Sequence, residues 1–114
     1  MKVLLLNLPF VFEKKSDIVL SHCLGIFQIA SFLRDNACEV VILDALQEGF
    51  GKIEKYNNSF YRVGLGDDEI LNRVDDSFDL IGISVPFSHL AKLAHDLTDK
   101  IKAKHNNNDR KSVV

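Results

Sequence analysis

Apolar and polar positions alternate in blocks along this chain, and the blocks read in turn as strands and helices. Residues 2–7, Lys-Val-Leu-Leu-Leu-Asn, form a short apolar run closed by a polar residue, with Pro9 two positions further on. Such a run suits a central parallel strand buried on both faces. Residues 10–22 lack a clean period and carry Glu13, Lys14, Lys15, Ser16 and Asp17, so a long loop is expected there. In residues 23–36, Leu24, Phe27, Ala30 and Leu33 recur at helical spacing, and Ile26, Ile29 and Phe32 supplement them. A broadly buried helix is predicted. Residues 39–44, Glu-Val-Val-Ile-Leu-Asp, are rich in β-branched side chains and predict a second strand.

The stretch 45–66 resists assignment. Gly49, Gly51, Asn57, Asn58, Gly64 and Gly66 punctuate it, while Phe50, Tyr56, Phe60 and Tyr61 supply apolar anchors. It exceeds an ordinary connection in length and reads as a lid or as a segment ordered by a ligand or neighbour. Asp67, Asp68 and Glu69 then mark a helix start, where acids complement the free N–H groups, and Ile70, Leu71 and Val74 give it an apolar face. Residues 79–85 are a near-continuous apolar run, Leu80, Ile81, Ile83 and Val85 interrupted by Gly82, which predicts a third, buried parallel strand. Pro86 has no N–H to donate and ends it. Leu90, Leu93, Ala94, Leu97 and Ile101 form the stripe of an amphipathic helix. After a polar cluster at 105–109, residues 111–114 look like the opening of a fourth strand.

The order β-α-β-α-β-α-β predicts an α/β fold, a doubly wound parallel sheet with strand order 2-1-3-4. Sheets of this kind usually continue to a fifth strand and a last helix, so 1–114 is expected to be one domain that is incomplete at its C-terminal side. Its exposed sheet edge invites homo-association. With 114 residues there is room for one core. The balance of 14 Lys and Arg against 16 Asp and Glu, a net charge of −2, gives no electrostatic reason to propose nucleic acid or an anionic membrane as partner. The apolar runs are too short to span a bilayer and no secretory signal opens the chain, so a cytoplasmic location is expected. Cys23 and Cys38 are isolated, without Cys-x-x-Cys spacing or a nearby histidine pair, so no local zinc or iron–sulfur site is expected.

In a doubly wound sheet the topological switch point lies between the first and third strands. That places residues 7–10 and 84–89 along one crevice, with Asn7, Pro9 and Phe10 on one wall and Ser84, Pro86, Phe87, Ser88 and His89 on the other. A helix starting near Ser88 would aim unpaired N–H groups at a ligand. No paired carboxylates, Ser-His-Asp set or metal cluster arises from local spacing, so no catalytic residue is assigned. The first strand leads into Leu8-Pro9-Phe10 instead of Gly-x-Gly-x-x-Gly, and Asp44 is therefore not read as a ribose ligand.

Three stretches resemble a known family: Met-Lys-Val-Leu-Leu-Leu-Asn-Leu-Pro-Phe at 1–10, Leu24-Gly25-Ile26 through Leu43-Asp44-Ala45, and Tyr61-Arg62-Val63-Gly64-Leu65 through Gly82-Ile83-Ser84. In order and spacing they are similar to the N-terminal cobalamin-binding domain of cobalamin-dependent radical SAM enzymes, of the methyltransferase and magnesium-protoporphyrin monomethyl ester oxidative cyclase types. The resemblance implies a flavodoxin-like, Rossmann-type fold holding cobalamin at the carboxyl ends of the strands. A downstream radical SAM domain, with S-adenosylmethionine and a 4Fe–4S cluster, would do the chemistry, and this chain alone would be catalytically silent. It also implies that Ser84 approaches the nucleotide tail of the cofactor. The Asp-x-His-x-x-Gly motif that carries a lower axial histidine in classical cobalamin domains is absent after the first strand. The alternative is a small α/β protein-interaction module that no longer binds the cofactor.

Overall fold

The structure, a computed structural model, describes residues 1–14, 24–85, 88–104 and 112–113. Two sheets organise it. The parallel sheet is built from β1 (Lys2–Asn7), β3 (Glu39–Asp44), β6 (Leu80–Ser84) and the two-residue β7 (Ser112–Val113), in the order β3-β1-β6-β7. β1 pairs with β3 from Lys2↔Glu39 to Asn7↔Asp44 and with β6 from Val3↔Leu80 to Asn7↔Ser84. The second sheet is antiparallel and joins β2 (Phe10–Phe12), β5 (Tyr61–Val63) and β4 (Ile53–Lys55), in the order β2-β5-β4.

The second sheet departs from the sequence reading in two places. The expected loop at 10–22 opens with β2, and the unassigned stretch 45–66 holds β4, β5 and a four-residue helix, α2 (Ala45–Glu48). Counted along the whole chain, the order of the parallel sheet therefore differs from 2-1-3-4, because three short strands intervene. Each has three residues, too few for a periodic signal, and β2 is specified by its pairing with β5, Phe10↔Val63 to Phe12↔Tyr61, across a long loop.

Alternation along β1 assigns its side chains to two cores. Val3 and Leu5 pack with Val40 and with Ile26 and Ala30 of α1 (Leu24–Asp35). Leu4 and Leu6 face the larger core, with Leu43, Ile81, Ile70 of α3 (Asp67–Arg73), and Leu93, Ala94, Leu97 and Ile101 of α4 (Ala91–Lys104). α4 follows the predicted stripe, and a 3₁₀ turn at Ser88–Leu90 leads into it. α1 does not have the broad burial expected. Ile26 and Ala30 are buried and Leu33 half-buried, whereas Phe27, Ile29 and Phe32 are 48%, 53% and 67% exposed. The apolar residues of α1 are spread around the helix, and the sheet covers only one side of it.

α1 ends in a Schellman motif: the Cys38 N–H reaches Leu33 O at 3.0 Å and the Ala37 N–H reaches Arg34 O at 3.2 Å. The residue in the left-handed conformation is Ala37, at φ 64°, where glycine would carry no Cβ penalty. Gly64 is a different case. Its φ is +129°, and a Cβ there would lie 2.7 Å from Ala45 O and 2.9 Å from Pro9 Cβ. The close approach lets the end of β5 pass between α2 and the exit of β1, and the Leu65 N–H bonds to Ala45 O at 2.9 Å.

Ion pairs lash the helices to the second sheet. Asp67, at the start of α3, meets Arg62 of β5 at 2.7 Å and Lys100 of α4 at 2.5 Å. Burial, the largest single influence on this carboxyl, favours its neutral form. The hydrogen bonds from Lys100 and Arg62, with their positive charges, outweigh it and hold the group below the usual carboxylate range. Arg73 of α3 grips Glu48 of α2 through both guanidinium nitrogens, at 2.6 and 3.3 Å. Lys104 donates to Leu71 O and Val74 O, satisfying carbonyls at the end of α3.

Three outcomes follow for stability. Ala37→Gly should raise the unfolding free energy by about 1 kcal/mol in urea titration, because the left-handed residue loses its Cβ clash. Gly64→Ala should lower it by about 2–4 kcal/mol, through strain and the clash with Ala45 O. The contribution of Asp67 is fully present above its unfolded value of about 3.9 and is lost as pH falls through its lower folded value. Asp67→Asn should therefore flatten the acid limb of a stability–pH curve between about pH 5 and pH 2.

Candidate functional site

The three long parallel strands end in polar residues that share one level of the sheet. Asn7 is in register with Asp44 on one side and Ser84 on the other. Neighbouring strands lie about 4.8 Å apart, so three polar side chains line up across the carboxyl edge, on the face that carries Val3 and Leu5. The connection from β1 leaves through α1 to β3 on one side, while β6 lies on the other side of β1. The switch point thus falls between Asn7 and Ser84.

Asn7 is the buried polar residue of this edge, 2% exposed, and its Nδ2 donates to Asp44 Oδ1 at 2.9 Å. The same Asp44 oxygen accepts from the Gln47 N–H at 3.1 Å, so Asp44 also caps α2. One carboxylate therefore fixes the amide at the end of β1 and the helix that follows β3. Ser84 is half-buried. Two residues before it, on the same face of β6, half-buried Gly82 makes room for the Leu5 side chain, whose Cδ2 lies 3.0 Å from where a Cβ would stand. The Ser84 hydroxyl and the Asn7 amide place polar groups at the carboxyl end of these strands.

The remaining predicted positions fare differently. Pro9 and Phe10 are buried, Pro9 against Gly64 and Phe10 in the large core beside Leu8, Val11, Val63 and Leu90. Pro86 and Phe87 lie outside the described residues, and of Ser88 only the backbone is described, as the start of the 3₁₀ turn. α4 proper begins at Ala91, three residues after the expected helix start. His89 is exposed, and its Nε2 lies 3.2 Å from Val11 O. Asp44, which sequence reading set aside, joins this polar row. The signal for it was the shared polar ending of the first two strands, Asn7 and Asp44, which parallel register makes neighbours.

Among the described residues, no group of three or more His, Cys, Asp or Glu is placed to hold a metal ion, and no helix is long and apolar enough to cross a membrane. Comparison with protein-family models, curated proteins and solved structures finds no match to this chain.

The Asn7–Asp44 bond carries its own test. Asn7→Asp would set two carboxylates within hydrogen-bonding distance at a buried edge and leave Asp44 without this donor. The expected loss is about 2–3 kcal/mol of unfolding free energy at neutral pH, partly regained on acidification as the pair takes up a proton. A loss independent of pH would show that the carboxylates are not in contact.

Proposed function

We propose that this chain is a cobalamin-binding domain of flavodoxin-like fold from a radical SAM enzyme, working beside a downstream domain that holds S-adenosylmethionine and the 4Fe–4S cluster. The observation that carries the reading is the polar row Asp44, Asn7 and Ser84 at the switch point of a parallel sheet. Those residues offer polar contacts to the nucleotide tail of the cofactor: the Ser84 hydroxyl offers a hydrogen bond, and the Asn7 amide is already oriented by Asp44. The sequence resemblance, which runs through the same residues, points to the same assignment.

In this reading the bound cofactor supplies the reactivity. The chain's own residues bind and orient it. Ser84 contacts the tail, the Asn7–Asp44 pair keeps the floor of the site rigid, and the apolar walls exclude water. Hydroxocobalamin added to the protein should change its visible absorption spectrum and raise the thermal midpoint. A hundredfold excess over Kd corresponds to about 2.7 kcal/mol of added stability. Ser84→Trp, which sets an indole where the tail would lie, should abolish both effects while the unliganded protein keeps its fold. Absence of both responses in the parent protein would defeat the proposal.

A second reading, a protein-interaction module, is favoured by the outward Phe27, Ile29 and Phe32 of α1. It predicts that Phe27→Ser and Phe32→Ser raise solubility without loss of fold, and that the parent protein elutes larger as its concentration rises. A concentration-independent monomer that binds hydroxocobalamin would exclude it.

A further inference from the structure

α1 covers only part of the sheet face on which it lies. Val3, Leu5 and Val40 are buried with it, whereas Leu80, Gly82 and Ser84 of β6, in register with Val3, Leu5 and Asn7, are half-buried. The opposite face carries α3 and α4, and there Leu4, Leu6 and Ile81 are sealed. Parallel sheets are stable with both faces covered, so β6 is short of a neighbour on the α1 side.

One hydrogen bond shows which flank of α1 looks over β6. Glu39 N–H bonds to Met1 O, so strand alternation turns the next carbonyl, Val40 O, to the open edge of β3, where Arg34 Nη2 donates to it at 3.2 Å. Phe27 precedes Arg34 by two helical turns and shares that outer flank. Gly25, Ile29 and Phe32, at i, i+4 and i+7, form the other flank, on the β6 side. Ile29 and Phe32 are 53% and 67% exposed, and a Cβ on Gly25 would meet nothing within 4 Å.

Charge says what belongs against this flank. The exposed side of α4 carries Lys92, Asp96, Asp99, Lys100 and Lys102, and α3 opens with three acids. α1 carries no charge before Arg34 and Asp35, its last two residues. A solvated helix face is charged, while the centre of an interface is depleted of charge. An uncharged apolar flank is matched by another of its kind, and among the described residues α1 is the helix that offers one. We infer that the Gly25–Ile29–Phe32 flank is a homodimer interface, with α1 of a second copy lying antiparallel across a two-fold axis, so that Ile29 of each copy meets Phe32 of the other. No like charges are opposed in that pairing. The inference deepens the interaction reading by naming its partner.

Sedimentation velocity over rising protein concentration tests it. The parent should pass from monomer to a closed dimer, half-associated at about 10–100 μM, the range of a small interface. Ile29→Lys and Phe32→Glu each set like charges near the axis and should weaken association by at least about tenfold. Both side chains face solvent, so both variants should keep the parent's circular dichroism. Phe27→Glu, on the other flank, should stay within about twofold of the parent. An equimolar mixture of Ile29→Lys with Phe32→Glu should dimerise again, because the two introduced charges then meet across the interface. A monomeric parent, a dimer unmoved by Ile29→Lys and Phe32→Glu, equal weakening by Phe27→Glu, or a mixture that stays monomeric would each overturn the pairing. Association that survives Ile29→Lys sinks this flank and leaves an interaction module, as by a sheet edge, whereas a monomeric parent that binds hydroxocobalamin sinks both and leaves the cobalamin reading.

Discussion

The double pairing of β1 constrains everything above it. All six of its residues are in parallel register with β3, and five are also in register with β6. Its backbone groups are buried, so each must find a partner in a neighbouring strand. A slip of one residue would turn Leu4 and Leu6 away from the large core and expose them on the wrong face. Because the register cannot slip, the final positions of three strands coincide, and Asp44, Asn7 and Ser84 become neighbours. The polar row is a consequence of ladder geometry acting on strand ends that are far apart in the chain.

The second sheet shapes what surrounds that row. Phe10 and Val63 face each other across it, and Gly64 lets the chain turn close against Ala45 and Pro9. The carboxyl edge of the parallel sheet is thereby roofed on the side of the large core, while Gly82 and Ser84 are half-buried on the other face. The Arg62–Asp67–Lys100 cluster ties the same roof to α3 and α4. The side chains of Arg62 and Asp67 are only 12% and 17% exposed, so this cluster is less screened than the surface pairs of Lys52 with Glu69 and Lys92 with Asp96.

Much of the scaffold was legible because long elements announce themselves by period. β1, β3 and β6 are apolar runs, and the stripe from Leu90 to Ile101 has the spacing of a helix covering a sheet. The position of Asn7 and Ser84 at the strand ends was legible because the end of a parallel strand is a defined place in such a fold. The burial of Pro9 and Phe10 was not. It depends on residues 10–12 pairing with 61–63, a contact between three-residue segments that carry no pattern of their own. The exposure of Phe27, Ile29 and Phe32 was also hidden, since hydrophobic spacing states which faces of α1 are apolar but not how many of them a neighbour covers.

The sequence by itself determined the α/β class, the succession of the major elements and the polar residues at the strand ends, because these follow from local alternation and from the chemistry of single positions. Only the tertiary structure decided that Asp44 joins Asn7, that β2 roofs the large-core side and that the His89 ring meets Val11 O of β2. Each of these depends on hydrogen bonds between distant segments, whose partners are selected by register and packing.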